Sequence, residues 1–157
     1  MSDEIVKEAV LHAPLAKVWD AISDSKKLGT WFGMKFEGPF VEGRTVEAAI
    51  AMTQVDDDVA KHQEPFVGLR CDFDIERIVP NRLLSFRWPH GAQVGPAAPK
   101  TLVSFALEEV PGGTRLTITE TGFDALPPEL RAKAYTDNEG GWEIQLTLVA
   151  KYLTRSS

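Results

Sequence analysis

The sequence predicts an α+β fold in which a curved antiparallel sheet of about seven strands wraps around one long C-terminal helix, with two short helices after the first strand. Three observations carry this. Trp142, Leu146, Val149 and Leu153 recur at i, i+4, i+7 and i+11, one face of a 3.6-residue period, and Ile144, Leu148 and Tyr152 widen the stripe. From Leu69 to Ile78 apolar and charged residues alternate, interrupted only at Glu76-Arg77, as in a strand with one buried and one wet face. Strand-like runs also follow one another through the middle of the chain with no helical pattern between them, which favours a meander over a parallel, crossover-built sheet.

Glu4 to Ala13, rich in Val, Leu, Ile and Ala without helical spacing, reads as a first strand with both faces partly covered. Pro14 suits a helix start, and Leu15, Val18, Trp19 and Ile22 follow at i, i+3, i+4 and i+7, so a helix is expected to end near Asp24. A second short helix, Lys26 to Phe32, turns Leu28, Trp31 and Phe32 inward and stops at Gly33. The period then changes to two. Met34 to Phe36 makes a short strand, Gly38-Pro39 and Glu42-Gly43 make turns, and Val46, Ala48, Ile50 and Met52 form an inward row that Asp56-Asp57-Asp58 closes as a solvated hairpin tip. After the Leu69–Ile78 strand, Pro80-Asn81 turns the chain into Leu84, Phe86 and Trp88. The loop from Pro89 to Pro99 leads to Thr101, Val103, Phe105 and Leu107, and Pro111-Gly112-Gly113 turns into Leu116, Ile118 and Glu120. Asp137 and Asn138 are capping-type residues, so the last helix is expected from Asn138 to Arg155, roughly 27 Å long at 1.5 Å per residue.

The 157 residues fit one domain, 1–157, with room for a sizeable core or an internal cavity. A formal charge of −6 argues against a nucleic-acid partner, whose phosphates are usually met by a basic stripe. The N-terminus carries no secretory pattern and no apolar run approaches a membrane span, so a cytoplasmic protein with no membrane partner is expected. The single cysteine, Cys71, allows no internal disulfide, and His12, His62 and His90 lie in separate segments without metal-ligand spacing. Phosphate-binding loop, dinucleotide fingerprint and nucleophile elbow are all missing, so no metal and no other cofactor is expected.

Ala13-Pro14 with Val18-Trp19, Trp31-Phe32, Arg87-Trp88, Gly112-Gly113-Thr114-Arg115-Leu116, Glu120-Thr121-Gly122-Phe123 and Gly141-Trp142 together resemble homologues of the heat-shock-protein-90 ATPase activator. These belong to the START-like, helix-grip superfamily that includes Bet v 1 and polyketide cyclases. The resemblance runs from about Ile5 to Leu153 and implies the helix-grip fold. It also implies three functions to weigh: a carrier of an apolar or aromatic small molecule, a chaperone-associated module with a chaperone as partner, and a cyclase- or hydrolase-type enzyme working inside the cavity.

A curled sheet over one helix either fills its interior or leaves space for a guest, and apolar clefts with a few polar groups are where small ligands bind. The side chains expected to line such a pocket are Trp31, Phe32, Phe36, Met52, Phe73, Phe86, Trp88, Phe105, Trp142 and Leu146, with Glu120 at its inner edge. No residue is assigned a catalytic role. Glu120 shares a strand face with Leu116 and Ile118, and an acid inside an apolar cavity is expected to have a raised pKa and to donate to a ligand as the neutral form. A bulge at the strand end, turning Glu120 toward water or the backbone near Asn138, is the competing expectation. The loop after Trp88 is a candidate gate for the pocket mouth.

Overall fold

In a computed structural model describing residues 3–90 and 98–155, the chain begins with strand β1 (Glu4–Leu11) and helices α1 (Leu15–Ser23) and α2 (Ser25–Phe32). Short strands β2 (Met34–Phe36), β3 (Thr45–Val46) and β4 (Ala48–Ile50) precede helix α3 (Asp57–Gln63) and a single 3₁₀ turn, Glu64–Phe66. Long strands β5 (Phe73–Val79), β6 (Leu83–Pro89), β7 (Lys100–Val110) and β8 (Gly113–Thr121) follow. A second 3₁₀ turn, Phe123–Ala125, then leads into helix α4 (Pro128–Arg155). The strands form a six-stranded antiparallel sheet, β1-β8-β7-β6-β5-β3, and a separate β2–β4 pair. Among the described residues, no helix is long and apolar enough to cross a membrane.

Period-two rows decide which face of the sheet is buried. Thr101, Val103, Phe105 and Leu107 on β7, and Thr114, Leu116, Ile118 and Glu120 on β8, all point inward. Leu84 and Phe86 continue the row on β6, and Phe73 and Ile75 on β5. The rings of Phe73 and Phe86 stack at 4.1 Å, and Phe105 meets Phe86 edge-on at 5.6 Å. Against this face lie α1 and α2, joined where the Trp31 indole donates to the Ala21 carbonyl at 2.9 Å, and α4 through Trp142, Leu148, Val149 and Leu153.

Several expectations are corrected. Helix α4 begins at Pro128, ten residues before Asn138, so its 28 residues span about 42 Å. Proline opens the helix, and Gly140-Gly141 sits inside it, because the backbone bonds of a long packed helix outweigh the local weakness of two glycines. Asp56-Asp57-Asp58 is no hairpin tip: the Asp56 carboxylate accepts from the Val59 amide and caps α3, with Asp57 and Asp58 in the first turn and Lys61 and His62 in the last. The row from Val46 to Met52 divides between two sheets, Val46 pairing with Phe73 and Ile50 with Met34, and Met52 lies beyond the strands, exposed. Strand β5 starts only at Phe73, its register shifts between Ile75 and Arg77, and Leu69 is exposed. On β1 the faces are unequal, with Ile5 and Leu11 buried and Val6 and Val10 open.

Gly29 shows how closely α2 meets β2. A Cβ there would lie 2.2 Å from the Met34 carbonyl oxygen, so Gly29→Ala must push the helix off the strand. A loss of about 1–3 kcal/mol in urea unfolding is expected, as for overpacked sites. A change within 0.5 kcal/mol, roughly the scatter for inert positions, would mean that α2 and β2 part freely.

Candidate ligand cavity and its buried carboxylate

Glu120 sits near the end of β8, opposite Ile5 on β1 and Val103 on β7, with no bulge in either register, and it is fully buried. Five hydrogen bonds from four donor groups converge on its carboxylate. Oε2 accepts from the Trp88 indole at 2.8 Å, from the Thr101 hydroxyl at 2.6 Å and from Asn138 Nδ2 at 3.1 Å. Oε1 accepts from the Trp142 indole at 2.8 Å and from Asn138 Nδ2 at 2.9 Å. His90 Nε2 lies 3.4 Å from Oε2 and 2.8 Å from Thr101 Oγ1. Because the Thr101 hydroxyl gives its proton to Glu120, its oxygen is left to accept from His90, which orients the imidazole.

This overturns the raised pKa expected for Glu120. Burial pushes the carboxyl upward, but hydrogen bonds from His90, Thr101, Trp88 and Trp142 outweigh it, and the pKa falls below the ordinary 4.5. At neutral pH the group is an ionised, saturated acceptor with no proton to give. The strand end carries no bulge because β1 and β7 both hold β8 in register through Thr121.

The indoles held by Glu120 stack on each other, Trp88 against Trp142, at 5.3 Å and 23° between planes. Phe32 meets both edge-on, at 6.0 and 5.9 Å. Beside this cluster opens a cavity of about 410 Å³. Its walls come mainly from four places: Phe32 to Met34 at the end of α2, Val59 to Phe66 along α3 and its 3₁₀ turn, Trp88 to His90 at the end of β6, and Asn138 to Gln145 on α4, with Ile50 on β4 and Cys71 completing them. Helix α3 is held to α4 by an ion pair between Asp56 and Lys151. It is held to α2 by Gln63, whose Nε2 donates to the Phe32 carbonyl at 3.1 Å and whose Oε1 accepts from the Thr53 amide at 2.6 Å.

Of the side chains expected to line a pocket, Phe32, Trp88 and Trp142 do so. Trp31, Phe73, Phe86 and Phe105 are fully buried in the core, Phe36 packs on Phe40 and Phe73, Leu146 is half-buried on the helix stripe, and Met52 is exposed. Glu120 lies one layer behind the wall, bonded to its residues. The sequence reading did not include Val59, His62, Gln63, Phe66, Ile144 or Gln145. The cap Asp56 with an acidic first turn and a basic last turn was the available signal for α3. The expected gating loop runs through residues 91–97, outside the described residues.

Cys71, also on the wall, has its thiol pushed up to about 12 by burial and by the nearby Asp72 and Glu120 charges, so it is no thiolate at neutral pH. Among the described residues no three His, Cys, Asp or Glu side chains are grouped to hold a metal ion.

A curved antiparallel sheet gripping a long C-terminal helix, with a cavity between that helix and the inserted short helices, defines a START-like helix-grip domain. Residues 12–154 match the family described as activator of Hsp90 ATPase homolog 1-like protein, and the chain belongs to that family. Solved structures agree on the fold. Protein MLL2253 from Mesorhizobium loti is 23% identical with a TM-score of 0.73, each chain covered over 98% of its length. DynU16, from the dynemicin biosynthetic locus, is 21% identical with a TM-score of 0.71; all of this chain is covered, but only 49% of DynU16. The Aha1 dimer from Colwellia psychrerythraea is 20% identical with a TM-score of 0.66, covering 98% of this chain and 96% of that one. Among curated proteins none matches this sequence.

Proposed function

We propose that this chain is a binding domain that holds an apolar small molecule in the cavity bounded by α2, α3, the end of β6 and the middle of α4. The observation that carries this is the 410 Å³ space, walled mainly by apolar and aromatic side chains with few polar groups among them. A space of that size suits a small molecule of a few fused rings. Acid–base or nucleophilic chemistry is the weaker reading: Glu120 is ionised and saturated with donors, and Cys71 keeps its proton.

Uncharged aromatic compounds are expected to raise the melting temperature, because a ligand bound only by the native state at a hundredfold excess over Kd adds about 2.7 kcal/mol. Gly141 supplies the control. A Cβ there meets nothing within 4 Å, so Gly141→Leu extends into open space at the wall and improves helix propensity. That variant should fold and lose the shift. No shift in the native chain, or a shift that Gly141→Leu leaves intact, would remove the cavity as the binding site.

A second reading, a chaperone-associated interaction module, is favoured by the family description and by a run of exposed apolar side chains, Phe66, Val67 and Leu69, each more than half open. Robust stimulation of a chaperone ATPase by this chain alone, abolished when those residues are made polar, would promote it over the first.

A further inference from the structure

Gln145 projects from α4 into the cavity wall, and its two amide atoms are treated differently. Nε2 donates to the Phe32 carbonyl at 3.1 Å, which fixes the orientation of the amide, since the flipped form would set oxygen against oxygen. Oε1 is then buried with no hydrogen-bond partner among the described residues. A buried acceptor left unmade is costly, and most such groups in native proteins have a partner. The Phe32 carbonyl, by contrast, has a donor to spare, because Gln63 Nε2 also reaches it at 3.1 Å. Gln145 can therefore turn its amide toward the cavity about a soft terminal torsion without orphaning Phe32.

We infer that Gln145 is the specificity-determining polar contact of the cavity, and that its ligand is an uncharged aromatic or apolar molecule carrying a hydrogen-bond donor, such as a phenolic or alcoholic hydroxyl, for Gln145 Oε1. This rests on the binding reading above. The charge preference has its own cause: the ionised Glu120 lies directly behind Trp88, Trp142 and Asn138, so a carboxylate guest meets a like charge across a thin, poorly screened layer.

The test uses two probes of nearly equal shape, 2-naphthol and 2-methoxynaphthalene, titrated calorimetrically into the native chain and into Gln145→Met. The native chain should bind the naphthol more tightly by about three- to tenfold, the worth of one buried hydrogen bond. In Gln145→Met the two affinities should converge, and a cooperative melting transition close to the native one shows that the variant is folded. Should the variant fail to fold, the side-chain amide resonance of Gln145 in the native chain decides instead: it should move with the naphthol far more than with the ether. Equal affinities in the native chain, or a naphthol preference that survives in Gln145→Met, overturn the donor assignment and leave the cavity reading standing. Binding of neither probe overturns both.

Discussion

Glu120→Leu is expected to cost about 3–6 kcal/mol of folding stability, a large part of the 5–15 kcal/mol typical of a domain. The substitution leaves the Trp88 and Trp142 indoles, the Thr101 hydroxyl and the Asn138 amide facing an apolar side chain, and each buried donor without an acceptor costs about 1–3 kcal/mol before relaxation. Glu120→Gln, which keeps one acceptor oxygen but turns an NH₂ toward donors, should fall between the two. Urea unfolding at neutral pH measures both, and a loss below about 1 kcal/mol would mean that the donor cluster does not hold the helix. The effect has a definite pH signature. Because the folded pKa lies below the unfolded 4.5, the stabilisation is fully present above pH 4.5 and is lost as pH falls through the lower folded value. The native chain should therefore lose stability on acidification below pH 4.5 more steeply than Glu120→Leu does.

Trp142→Ala carries the second large effect, about 3–5 kcal/mol, as for other large aromatics truncated in cores. Its indole is 2% exposed, touches Phe32, Trp88 and Phe105, and gives its only N–H to Glu120. Both changes disrupt one network, so the double variant should lose less than the two single losses combined, with a coupling of roughly 0.5–3 kcal/mol. Strict additivity would place Trp142 and Glu120 in energetically separate units, against the 2.8 Å contact between them.

Binding and unfolding are linked through these residues. Trp88 and Trp142 form part of the cavity wall and are oriented by Glu120, so Glu120→Leu should also weaken any guest that packs on them, although Glu120 does not itself line the cavity. Gln145 hangs from the same helix one turn beyond Trp142, and its partner carbonyl belongs to Phe32, which packs on both indoles. The proposed polar contact and the buried carboxylate are thus two ends of one packed unit.

Periodicity alone determined most of the architecture. The rows Thr101 to Leu107 and Leu116 to Glu120 could lie only on one face of a strand, and the stripe ending at Leu153 only on one side of a helix, because side-chain direction follows from backbone geometry. The two early helices, the run of long strands and the inward aim of Glu120 were legible for that reason. Tertiary structure decided the rest. Whether Glu120 is neutral or ionised depends on donors from positions 88, 90, 101, 138 and 142, brought together by strand pairing and helix docking, and no local pattern encodes their number. The start of α4 at Pro128 and the existence of α3 depend on packing that supports weak local helix signals, and α3 builds one wall of the cavity. The same aromatic residues read as pocket lining proved mostly core, since burial by neighbours far away in sequence decides whether a ring faces a guest or another ring.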